Sequence, residues 1–170
     1  MPHIKRIVFA LLLLLSSQSA PLWAEETASG PGLQIDIPVP LKESKVVFDM
    51  DHLAFAGDQP IGLSQMKTMV ERYKAAQVPV RIVAVFHGAA GYMVLNDAAY
   101  DKARKSDQGN PLKDQIKALQ EQGVQFELCV NTARNNGWVN ADLLPGVKVN
   151  GGATLRIIGL VQDGYVQVQP

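Results

Sequence analysis

The 170-residue chain has one cysteine, Cys129, and only three histidines. A single thiol cannot close an internal disulfide, and so few Cys and His side chains leave no basis for a structural zinc site. An excess of charge of either sign is also missing, with 16 basic against 16 acidic residues. That balance offers no electrostatic handle on nucleic acid or on an anionic membrane surface. Beyond the first two dozen residues, no apolar run approaches the roughly 20 residues that span a bilayer.

Those first residues have an organisation of their own. Lys5 and Arg6 precede the apolar run from Ile7 to Leu15, and a small-residue zone ends at Leu22-Trp23-Ala24. This is the three-part layout of a secretory signal peptide over residues 1–24, cut after Ala24. It predicts a periplasmic or secreted protein with no membrane association once the signal is removed. An uncleaved anchor is the alternative, because Leu22 is a less typical residue than Ala three positions before a cut. Removing Lys5 and Arg6 leaves 14 basic against 16 acidic residues in a mature chain that starts at Glu25. At roughly 150 residues that chain has the length of one ordinary domain with a sizeable core.

Residues 25–44 read as an extended surface arm, since Pro38 and Pro40 cannot donate to a sheet ladder. After it, short apolar segments alternate with helical patterns, which signals an α/β fold with a mainly parallel sheet. Lys45–Met50 and Val78–Phe86 are nearly continuous apolar strands. Between them Leu63, Met66, Val70 and Tyr73 mark the inner face of a helix. A second helix is expected from an Asn110 cap and Pro111 to Gly123, followed by the strand that ends at Cys129. The last unit reads as a strand over 144–149, a helix from about Ala153 to Gln162, and a final edge strand over 165–169.

In open parallel sheets the functional crevice lies beyond the carboxyl ends of the strands. Three strands deliver polar residues there: Asp49-Met50-Asp51-His52, then His87-Gly88, then Cys129-Val130-Asn131-Thr132. A thiol at a strand end, beside unpaired N–H groups, is placed for thiolate chemistry; it is equally the profile of an inert buried cysteine. His87 is the candidate proton handler, with backbone hydrogen bonding as its plain alternative. Asp49, Asp51 and His52 read as capping or solvated loop residues, and their spacing is also compatible with a metal. Asn131 and Thr132 read as N-caps of a short helix. Arg134 either neutralises an anionic sulfur substrate or is a surface cation. Trp138 and Tyr92 either pack in the core or cover the crevice.

Several segments resemble the DsrE/DsrF-like family of sulfur-relay proteins, over nearly the whole chain from Lys45 to Pro170. They are Lys45-Val46-Val47-Phe48, Phe86-His87-Gly88, Gln122-Gly123-Val124-Gln125-Phe126-Glu127-Leu128-Cys129, Leu144-Pro145-Gly146-Val147 and the ending from Asp163 to Pro170. The resemblance implies a three-layer α/β sandwich over 45–170 with a five-stranded sheet, assembled into homo-oligomers. It implies Cys129 as the residue that accepts sulfane sulfur as a persulfide, with a sulfur donor and a thiol acceptor as partners and no cofactor or metal. By position, His87 would handle the proton, while Asn131, Thr132, Arg134 and Gly88 would hold the anionic sulfur. The competing reading is a non-catalytic ligand- or partner-binding module with a structural cysteine. An exported thiol also meets an oxidising compartment, where it needs shielding or persulfidation.

Overall fold

The computed structural model describes residues 32–170, so the signal peptide expected at 1–24 and the expected arm as far as residue 31 lie outside the described residues. Residues 32–43 hold no helix or strand and are mostly exposed. Residues 41–170 form one compact unit.

The elements in chain order are β1 (Ser44–Met50), a hairpin of β2 (Phe55–Ala56) and β3 (Gln59–Pro60), α1 (Ile61–Ala75) and β4 (Val80–Phe86). A 3-10 turn over Gly88–Val94, α2 (Asp97–Arg104), α3 (Lys113–Glu121), β5 (Gln125–Cys129) and α4 (Val130–Asn136) follow. A short 3-10 turn, β6 (Lys148–Asn150), α5 (Ala153–Gln162) and β7 (Val166–Val168) complete the unit. Five strands form one sheet in the order β6-β5-β4-β1-β7, and every neighbouring pair is parallel. The expected parallel five-stranded sheet is present, with β7 at an edge.

Successive side chains of a strand point to opposite faces, so this sheet has two chemically distinct sides. Phe48, Met50, Ala84, Phe86, Phe126 and Leu128 face α1 and α3 and build the larger core. Leu63 and Met66 of α1 are fully buried in it, and truncating either to Ala costs about 2–5 kcal/mol. Val47, Val83, Val85 and Cys129 face the other way and are covered by Ala153, Ile157 and Leu160 of α5. Helices on both faces make three layers, the far one being a single helix.

Local chemistry moved several element ends. β4 starts at Val80 rather than Val78 because Gln77 takes a left-handed φ of 56° and Val78 N–H donates to Tyr73 O, which closes α1. Asn110 is not the cap of α3, which begins three residues later. Its buried amide donates to Met93 O at 2.9 Å and Leu95 O at 2.6 Å, while its oxygen accepts from Leu112 N–H at 2.9 Å. Asn110 therefore makes an Asx turn that ties two loops together. β6 starts at Lys148 because Leu144–Val147 is a turn, with Gly146 at φ 80° and Val147 N–H on Leu144 O. Helix α2 was not anticipated, although Asn96 caps it by accepting from Ala99 N–H at 3.0 Å.

Candidate functional site

Cys129 ends β5 and is itself the N-cap residue of α4, so the expected capping by Asn131 or Thr132 does not occur; both lie inside the first turn of α4. The thiol points to the α5 side and is only 5% exposed. Ala153 N–H, at the start of α5, donates to Sγ at 3.3 Å. Burial pushes the thiol up, but the N–H groups of Thr132, Ala153 and Asn131 and the Thr132 hydroxyl outweigh it. The net result is a thiol below its ordinary pKa. The Thr132 hydroxyl also accepts from Gly88 N–H at 3.1 Å, which links the sulfur to the end of β4. Gly88 has φ 53°, and a Cβ there would stand 2.7 Å from Asp51 O, so this turn requires glycine.

Register brings the polar residues of three strands to one edge. Phe86 pairs with Leu128 and Met50 with Phe86, so His87 continues the row between Asp51 and Cys129, and its N–H donates to Met50 O. Its ring is engaged away from the sulfur: Nε2 shares a 2.7 Å hydrogen bond with Asp49 Oδ1. Asp49 Oδ2 accepts from Gln167 Nε2 at 2.8 Å. No hydrogen bond joins His87 to Cys129 among the described residues. Asp51 pairs with His52 and accepts from Gln169 Nε2 at 3.0 Å. The bond to His52, opposed by burial and aided by Gln169, holds the Asp51 carboxyl below its usual range. Among the described residues no group of three or more His, Cys, Asp or Glu could hold a metal ion.

The other expected site residues are less central. Asn131 is exposed, and its amide nitrogen lies 4.0 Å from where a Cβ on Gly152 would stand, beside the covering turn. Arg134 is exposed and makes no ion pair among the described residues. Tyr92 and Trp138 belong to the opposite core, and Arg104 lies 4.3 Å over the Tyr92 ring. Together with Gly88, Lys102 and Asn136 they line a cleft of about 390 Å³ on that other side of the sheet.

Glu127, two residues before Cys129 on the same strand face, is a site residue that the sequence reading passed over. Its side chain is 4% exposed and pairs with Arg156, whose nearest contact is 2.7 Å. Gln125 Nε2 and Asn150 Nδ2 donate to it as well. Burial raises this carboxyl and the bonds from Arg156, Gln125 and Asn150 more than reverse that. A carboxylate between the buried Phe126 and Leu128 was the available signal.

The DsrE/DsrF-like family matches residues 41–170. The chain belongs to that family. DsrE/DsrF-like proteins generally work in sulfur relay. Among solved structures, a protein of unknown function, MTH1491 from Methanobacterium thermoautotrophicum, is similar at 25% identity and a TM-score of 0.54. That match covers 75% of this chain and 99% of that one. The ychN protein from E. coli is similar at 13% identity and a TM-score of 0.48, with the same coverages. No curated protein matches the chain. No helix among the described residues is long and apolar enough to cross a membrane.

Proposed function

We propose that this DsrE/DsrF-like protein carries sulfane sulfur as a persulfide on Cys129, in the compartment to which the signal peptide at 1–24 directs it. The observation that carries the reading is the lowered thiol pKa at a buried sulfur, produced by N–H donors from two helices. The Cys129 thiolate attacks the outer sulfur of a donor persulfide, and the donor leaves as a thiolate. An acceptor thiolate then attacks the outer sulfur on Cys129, takes it away as a new persulfide and restores the Cys129 thiolate. Neither step changes the net oxidation state. His87, whose ring is held on Asp49 and makes no hydrogen bond to Cys129, is the group on the neighbouring strand that we assign to protonate the leaving thiolate and to take the acceptor's proton. Thr132 and Asn131 hold the sulfur anion, Gly88 shapes the turn beside it, and Arg134 supplies positive charge at the rim.

The 5% exposure of Cys129 suits a thiol sheltered from an oxidising compartment. The same number favours the competing reading, a purely structural cysteine. Intact mass of the reduced mature protein before and after a polysulfide donor separates the two, with Cys129→Ser alongside. Added sulfur, removed by reductant and absent from Cys129→Ser, is expected. No added sulfur, together with a thiol that alkylates only after unfolding, makes the cysteine structural. A homo-oligomer is the proposed assembly, supported by the apolar outer face of α5, where Leu155, Ile158 and Val161 are exposed.

A further inference from the structure

Cys129 keeps its Ala153 hydrogen bond only while the first turn of α5 stays in place. The chain enters that turn through Gly151-Gly152, and Gly152 has φ 144°, a conformation open to glycine alone. Such an entry does little to hold the turn by itself. The Glu127 carboxylate holds it from both sides. Downstream of Ala153, Arg156 grips both carboxylate oxygens, with Nε at 3.0 and 2.9 Å and a terminal nitrogen at 2.7 Å. Upstream, Asn150 Nδ2 donates to the same carboxylate at 3.1 Å while Asn150 Oδ1 accepts from Gly152 N–H at 3.1 Å. Arg156 lies three residues past Ala153, within one helical turn, and Glu127 lies two residues before Cys129, on one strand face. Sulfur and N–H donor are thus fastened to each other through a single carboxylate.

Buried ion pairs contribute little net stability compared with apolar residues of similar volume, so stability alone is a weak reason for a carboxylate here. A forked guanidinium–carboxylate pair does fix distance and angle. We propose that Glu127 is the positioning residue of the sulfur site: through Arg156 and Asn150 it brackets Ala153 and holds that N–H on the Cys129 sulfur. This deepens the reading of Cys129 as a sulfur carrier and rests on it for its biological purpose. The bracket acts on the ionisation of the thiol alone.

The charged or titratable groups around the sulfur are Glu127 on its own strand, His87 and Asp49 on the strands to one side, and Lys148 on the strand to the other. The others are Arg134 on α4, Arg156 on α5 and Tyr165, which packs against the same buried cluster as the sulfur. A charge effect of the Glu127–Arg156 pair must therefore be separated from a positional one. Arg156→Lys and Glu127→Asp keep every charge but break the fork, and Ala153→Pro removes the N–H at the first helical position, its ring Cδ taking the place of that hydrogen against the sulfur, so its midpoint counts only in a folded protein. Thiolate absorbance in the ultraviolet is followed against pH, with Cys129→Ser as the blank and circular dichroism to confirm folding.

Each variant is expected to raise the titration midpoint, lowering the thiolate fraction at neutral pH by about three- to tenfold. Arg156→Lys added to Ala153→Pro is expected to raise it no further, because both act through one hydrogen bond. A folded charge-conserving variant with an unchanged midpoint, an additive double variant, or an unmoved Ala153→Pro overturns the proposal. If Glu127→Asp does not fold, Arg156→Lys and Asn150→Ala decide in the same way. Failure of the persulfide reading would show instead as absent sulfur loading in the wild type, with these midpoint shifts intact.

Discussion

Replacing Thr132 by Val isolates one hydroxyl at the centre of the site. The Thr132 methyl already meets Gly91 closely, since a Cβ on that glycine would stand 2.6 Å from Thr132 Cγ2. Valine keeps that methyl, the β-branch and the volume, so packing changes little. One bond is lost outright, the 3.1 Å bond from Gly88 N–H, and with the hydroxyl goes its share in lowering the Cys129 thiol. Gly88 is exposed, so water re-pairs its N–H and the full penalty of an unsatisfied buried donor does not apply. The expected loss is about 1 kcal/mol, a Tm drop of about 3–5 °C for a domain of this size. The thiol midpoint should rise yet stay below that of a free cysteine, because the N–H groups of Thr132, Ala153 and Asn131 remain. Differential scanning calorimetry reads the first effect and ultraviolet thiolate titration the second. An unmoved midpoint in a folded Thr132→Val protein would refute the placement of the hydroxyl on the sulfur.

Stability should also report the lowered thiol through linkage. The folded thiol ionises below the unfolded one, so its stabilisation is complete above the unfolded value of about 8.5 and is lost as pH falls through the folded value. Denaturant melts of wild type and Cys129→Ser should therefore diverge as pH rises across that window and run parallel on either side of it. Gly91→Ala would put a Cβ 2.6 Å from Thr132 Cγ2 and 3.3 Å from Leu128 Cδ1, and overpacking of this kind costs about 1–3 kcal/mol by thermal unfolding. Leu155→Glu charges the exposed α5 face, and light scattering should then give a smaller particle than wild type. An unchanged mass would remove α5 from the assembly reading.

Much of the fold was legible because buried parallel strands and amphipathic helices leave strong periodic traces. β1 and α5 fall where Lys45–Met50 and Ala153–Gln162 were read, to within a residue. The segment between β4 and α3 was not read, since the 3-10 turn is almost wholly apolar and α2 is short, with only Ala99 buried. Asn110 was misread as a helix cap because an Asx turn and an N-cap use the same side-chain oxygen in the same local pattern. At the site, strand ends at one edge were enough to nominate Cys129 and His87, whereas Asp49, read as a capping or solvated loop residue, lies inside β1 and is buried because its carboxylate is paired with His87 and Gln167. The partner of each required three dimensions: Asp49 and Gln167 are 118 residues apart.

By itself the sequence determined the α/β class, the parallel sheet and the strand that ends at the lone cysteine. These follow from local patterning, hydrophobic periods and turn residues that act within a few positions of themselves. Only the tertiary structure decided that the Cys129 sulfur sits under the start of α5, that His87 turns to Asp49, and that Glu127 fastens Arg156 and Asn150 around Ala153. Strand order and register choose those neighbours, and both are set by packing between segments far apart in the chain, where no local pattern records which donor will reach the sulfur.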